Sequence, residues 1–149
     1  MSAPSRRAAA AIWAGMVATP VLFAAVTFTA APPRDMRSPE LSGLFFWMAA
    51  AVVGLGVVLS RLLPPRIRPR ERGGREAAAF TRLLVAWAIL EGASMFPLVA
   101  HLVTGDPFLY FLFAVALAAL VPLFPSEDRW RALAVEPLPS GGAGRMEGP

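Results

Sequence analysis

Apolar residues along this chain fall into four blocks, roughly Ala8–Ala31, Leu41–Leu63, Phe80–Val103 and Phe108–Phe124. A helix needs about 20 apolar residues to cross a hydrocarbon core of about 30 Å, so each block predicts a transmembrane helix. The last block, at 17 residues, stands near the lower limit. Ser38-Pro39-Glu40 reads as a helix start, with a capping serine, a first-turn proline and an acid at the positive end. Gly105 can end the third helix and Asp106-Pro107 can start the fourth, which makes these two a tight antiparallel pair. Pro64-Pro65 closes the second block and Pro125 the fourth. Ser126-Glu127-Asp128-Arg129-Trp130 then begins a short interfacial helix with Trp130 at the headgroups. The expected fold is all-α: four transmembrane helices in two antiparallel hairpins within residues 1–134, then a disordered tail, 135–149, rich in Pro and Gly.

Composition agrees with this reading. The chain is 149 residues long, 56% hydrophobic and 16% charged, with mean hydropathy +0.57, far from a soluble domain of that length. It has no cysteine, which removes disulfides, thiolate catalysis and thiolate metal sites. The net charge is +4 and all 14 basic residues are arginine. Arg61, Arg66, Arg68, Arg70, Arg72 and Arg75 crowd the second connection, Arg6 and Arg7 precede the first block, and Arg129, Arg131 and Arg145 follow the last. The first loop sets Arg34 and Arg37 against Asp35 and Glu40, and the third has no positive charge. Every arginine-rich segment thus falls on one side of a four-span arrangement, which the positive-inside rule makes cytoplasmic, together with both termini. Topology and anionic headgroups explain the arginine loop more simply than nucleic acid does. Arg6-Arg7 before a run ending Thr29-Ala30-Ala31 has the outline of a signal peptide. The run is longer than a typical signal core of about 7–15 residues, so it is read as a retained span; its cleavage would leave three.

Glu91 carries the chemical interest, because it sits in the middle of the third block. On insertion scales a carboxylate at mid-membrane costs about 2.5–3.5 kcal/mol unless it is protonated, paired or facing water. No arginine lies at comparable depth to answer it. At 3.6 residues per turn it shares a face with Leu84, Trp87, Ser94, Met95 and Leu98, and Ser94 is placed to hydrogen-bond the carboxyl group. Thr19, Thr27, or carbonyls freed by Pro20 and Pro97 are further partners; both prolines interrupt a span and predict kinks. Glu91 is therefore the candidate proton- or ion-binding residue with Ser94, or else an interhelical strut. Ala50 and Gly54, with Gly56 close behind, have small-xxx-small spacing for close helix packing, and Gly92 offers another small position. His101 is about 15 Å along the helix from Glu91, too far to share a metal, and reads as an interfacial histidine. No nucleophile–base set, metal-ligand spacing or phosphate loop is present, so neither enzymatic activity nor a cofactor or metal is expected.

The run Ala86-Trp87-Ala88-Ile89-Leu90-Glu91-Gly92-Ala93-Ser94-Met95-Phe96-Pro97-Leu98-Val99 resembles the carboxylate-bearing helix of the rotary ATP synthase c-subunit. Gly54-x-Gly56 echoes the glycine-rich helix before it, and the arginine loop its connection. That resemblance, spanning roughly Gly43 to Val103, implies that Glu91 binds a proton and that the glycines lie at a ring contact. The chain departs from it in having one glycine pair, a long loop and two flanking spans. As a whole the chain resembles small four-span integral membrane proteins of bacteria, through Ala88 to Gly92 as Ala-x-x-Glu-Gly and through Pro125-Ser126 after the last span. This implies a multi-pass protein of the bacterial inner membrane. The expected role is an accessory or structural membrane component that packs through Glu91 and small-residue faces. A c-subunit-like proton site and a small oligomeric transporter are the alternatives. The expected partners are the lipid bilayer and either a second copy or another membrane protein.

Overall fold

The computed structural model describes residues 5–29, 37–66 and 74–135. Within them the chain is helical, with no strand: α1 (Arg6–Thr29), α2 (Ser42–Leu62), α3 (Gly74–Thr104), α4 (Leu109–Leu120) and α5 (Glu127–Val135), with single 3₁₀ turns at Pro39–Leu41, Pro64–Arg66 and Val121–Leu123. Three helical stretches, Arg6–Thr29, Pro39–Arg66 and Glu76–Thr104, are long and apolar enough to cross a membrane, with mean hydropathies of 1.9, 2.1 and 1.8.

The fourth block differs from its expected form. Only 12 residues of it are α-helix. Pro122 lacks an N–H and its ring crowds the preceding turn. The Val121 N–H accordingly closes on Ala118 and the chain tightens into the 3₁₀ turn before Pro125 is reached. The apolar helix Leu109–Leu123 is shorter than the other three. Toward the other extreme, α3 starts well before Phe80. Hydropathy marks only where a helix is apolar, and Glu76 and Arg82 continue the same helix with charged residues.

The long α3 is the central element: half of its apolar window is buried, against 11% for α1 and 17% for α2. It packs against α1, α2, α4 and α5, and α2 also touches α4. The hairpin expected of the first two helices is not seen as a packed pair, since α1 packs mainly on α3. The reason lies in the side chains that α3 offers. Ala9, with Trp13, Met16 and Val17 beside it, joins Leu83, Trp87, Leu90, Leu120 and Trp130 in one cluster toward the arginine-rich end. A second cluster at the opposite end holds Ala49, Val53, Ala100, Leu109, Leu112 and Ala116. Trp130 is buried in the first cluster.

Inside lipid the apolar effect does not drive helices together, so close packing and hydrogen bonds must. Two indoles contribute the bonds: Trp13 Nε1 donates to the Leu120 carbonyl at 3.2 Å and Trp87 Nε1 to the Leu123 carbonyl at 3.0 Å. Both acceptors sit where α4 ends and its carbonyls lack helical partners. Ser126 caps α5, its hydroxyl accepting from the Arg129 N–H at 3.3 Å.

Candidate functional site

Glu91 is partly buried, near the middle of α3. Leu84 and Trp87 lie within about 40° of it around the helix, and both belong to the cluster shared with α1. On its other flank Ala88 and Gly92 are exposed, and a Cβ added at Gly92 would meet nothing within 4 Å. The carboxylate therefore sits at the rim of the α1–α3 seam, beside an open strip of α3 formed by Thr81, Ala88, Gly92, Val99 and Val103.

None of the expected partners reaches it. The Ser94 hydroxyl is fully buried and donates at 2.7 Å to the Glu91 backbone carbonyl, not to its carboxyl group. Thr19 donates to the Gly15 carbonyl at 3.0 Å, and Thr27 to the Ala24 carbonyl at 2.9 Å. Among the described residues the Glu91 side chain has no hydrogen bond or ion pair. This follows a general local rule: a serine or threonine inside an apolar helix satisfies itself on the carbonyl one turn back. Ser60 on Val57 and Thr104 on Ala100 do the same. Both α1 and α3 run uninterrupted through Pro20 and Pro97, which are buried.

The packing glycines separate sharply. Gly54 and Gly92 are exposed, with open space where a side chain would stand. Gly56 is the close approach between α2 and α3: a Cβ there would fall 2.6 Å from the Ala93 Cβ and 3.8 Å from the Ile89 carbonyl oxygen. Ala50 is partly buried against the second cluster. Of the expected packing positions Ala50, Gly54 and Gly56, it is Gly56 that meets α3, on Ala93.

A polar network at the end opposite the arginines was underweighted by the sequence. His101 is buried, its Nδ1 lies 2.9 Å from the Asp106 carbonyl oxygen, and its ring lies tilted against Tyr110 with the centroids 4.4 Å apart. The Tyr110 hydroxyl is 3.1 Å from Thr27 Oγ1 and so ties α4 to α1. Asp106 acts as the predicted cap, accepting from the Phe108 N–H at 2.9 Å, and it also accepts from the Ser42 hydroxyl at 2.5 Å. Gly105 ends α3 with φ +75°, its N–H returning to His101, and the Arg37 side chain lies across it. His101 is therefore packed into the end of the bundle. The signal in the sequence was the proximity of His101, Asp106 and Tyr110 around a glycine turn.

Among the loop arginines, Arg61 and Arg66 are exposed where α2 ends; Arg68, Arg70, Arg72, the Arg75 side chain and residues 136–149 lie outside the described residues. No group of three or more His, Cys, Asp or Glu residues is placed to hold a metal among the described residues. Comparison with protein-family models, with curated proteins and with solved structures returns no match for this chain.

Proposed function

We propose that this chain is an accessory or structural component of a membrane, which packs against another transmembrane helix through the α3 face carrying Ala88, Glu91 and Gly92. The observation that carries this reading is the Glu91 carboxyl group, partly buried beside an open glycine and without a hydrogen-bond partner among the described residues. At mid-membrane such a group is costly until something answers it, and small neighbours let a second backbone come close enough to do so. On this reading α4 with its 3₁₀ turn is a short fourth span, and the arginine-rich end and both termini face the cytoplasm of a bacterial cell. The protein has no enzymatic role. Cysteines introduced as Arg66→Cys and Pro107→Cys, without native thiols as background, should label from opposite sides of the membrane; same-side labelling would refute the orientation.

A second reading, proton or ion binding by Glu91, is favoured by the same partial exposure. Two variants separate them. Glu91→Gln keeps hydrogen-bonding capacity without a charge, and Glu91→Leu keeps neither. Packing through Glu91 predicts that the complex extracted in mild detergent has the same size for the wild type and Gln and is smaller for Leu. A complex unchanged by Leu would rule out packing, and loss of ion movement in Gln with the complex intact would establish the second reading.

A further inference from the structure

Around α3, the open strip of Ala88, Gly92 and Val99 runs between two packed flanks. At about 100° per residue, Leu84 and Glu91 fall on one side of it and Ile89 and Ala93 on the other. Leu84 belongs to the cluster shared with α1, whereas Ile89 and Ala93 receive Gly56 of α2. The helices α1 and α2 are not packed against each other. The strip is therefore the floor of a gap between them, and Ala88 and Gly92, one turn apart, leave its middle open. Small residues of this kind let a further helix backbone come close.

The rim of this gap carries the Glu91 carboxyl group, which has no hydrogen bond or ion pair among the described residues. The chain sets no base at that depth. Arg6 and Arg7 begin α1, Arg61 stands in the last turn of α2, and α4 has no basic residue. Arg82 precedes Glu91 on α3 by nine residues, about 14 Å along the helix axis. In hydrocarbon an acid and a base are each costly alone, and pairing answers both. A second copy would instead set carboxyl against carboxyl, which like charge disfavours. An arginine or lysine on a helix seated over Ala88 and Gly92 has the long stem needed to reach from the strip to its rim.

We infer that the gap between α1 and α2 takes a partner transmembrane helix that carries an arginine or lysine at mid-membrane and pairs it with Glu91. This rests on the packing role proposed for the same face and adds the chemistry of the partner. The test places the full chain in phosphatidylcholine bicelles with three synthetic transmembrane peptides of leucine and alanine. They are identical except for arginine, glutamine or leucine at the centre. Energy transfer between a dye on the peptide and one on the chain at Pro107→Cys reads binding. The arginine peptide should bind about tenfold or more tighter than the leucine peptide. Glu91→Gln still accepts a hydrogen bond from arginine, which holds the complex in mild detergent, but it lacks the charge and should bind that peptide about tenfold more weakly than the wild type. Gly92→Leu, whose Cβ meets nothing within 4 Å, fills the strip and should abolish binding with the melting temperature unchanged. The inference is overturned if the arginine peptide binds no tighter than the glutamine or leucine peptide, or if either variant binds it as tightly as the wild type. A native complex made only of copies of this chain also overturns it. After a negative peptide result, a native complex that shrinks in Glu91→Leu still upholds packing through this face, and only the basic partner is lost. A native complex indifferent to Leu removes both.

Discussion

Gly56→Ala should separate α2 from α3, and its size can be worked from the contact itself. The new methyl would lie 2.6 Å from the Ala93 Cβ, whereas carbon atoms rest at about 3.5–4.0 Å. One helix must therefore move by about 1 Å. No flexible side chain can give way, because the obstacle is another Cβ held on a helix backbone. Overpacking of this kind costs about 1–3 kcal/mol. Alanine also returns up to about 1 kcal/mol over glycine in helix propensity. Gly54→Ala supplies that propensity term alone, two residues away on the same helix and with nothing within 4 Å of its new methyl. The two variants should differ by about 1–3 kcal/mol, Gly54→Ala being the more stable. Reversible unfolding in bicelles measures this, and the double variant Gly56→Ala with Ala93→Gly completes a cycle in which the second change should recover part of the loss. Equal stability of Gly56→Ala and Gly54→Ala, or no recovery in the double variant, would refute the close approach of these helices.

Other changes probe the remaining ties. Trp87→Phe removes a buried indole donor from the Leu123 carbonyl and should cost about 1–3 kcal/mol, seen as a lower unfolding midpoint. Tyr110→Phe breaks the link to Thr27 and should cost about 0.6 kcal/mol, the average for such bonds between membrane helices, with faster hydrogen exchange near the end of α1. Ser94→Ala should be nearly neutral in stability and in complex size, because its hydroxyl serves its own helix; a smaller complex would restore Ser94 to the Glu91 site. Gly105→Ala forces a left-handed residue at φ +75° against the Arg37 side chain and should lower stability by about 1 kcal/mol or more.

The helices were legible in the sequence wherever an apolar block met a sharp boundary. Block Leu41–Leu63 became Ser42–Leu62 because Pro39 and Pro64 bracket it. Block Phe108–Phe124 became a shorter α-helix closed by a 3₁₀ turn, because Pro122 stands near its end, whereas Pro20 and Pro97 sit within long helices that continue through them. The gap reflects burial and continuation, which a hydropathy pattern does not encode. Glycine spacing named Ala50, Gly54 and Gly56 together, but spacing fixes only which residues share a face, not which of them meets a neighbour; that Gly56 is the one against Ala93 required the packing of α2 on α3. Glu91 was conspicuous from its depth alone. That Ser94 bonds the backbone rather than the carboxyl group is a rotamer choice, decided by the carbonyl one turn away.

Photo-crosslinking in native membranes decides whether the Glu91 face meets another helix. A photoreactive residue at Val99 lies on the open strip of α3, and one at Leu22 lies on the exposed side of α1 as the control. Docking through this strip predicts a protein adduct from position 99 that weakens in Glu91→Leu and persists in Glu91→Gln, with only lipid captured from position 22. Lipid capture alone from both positions would contradict the proposed role.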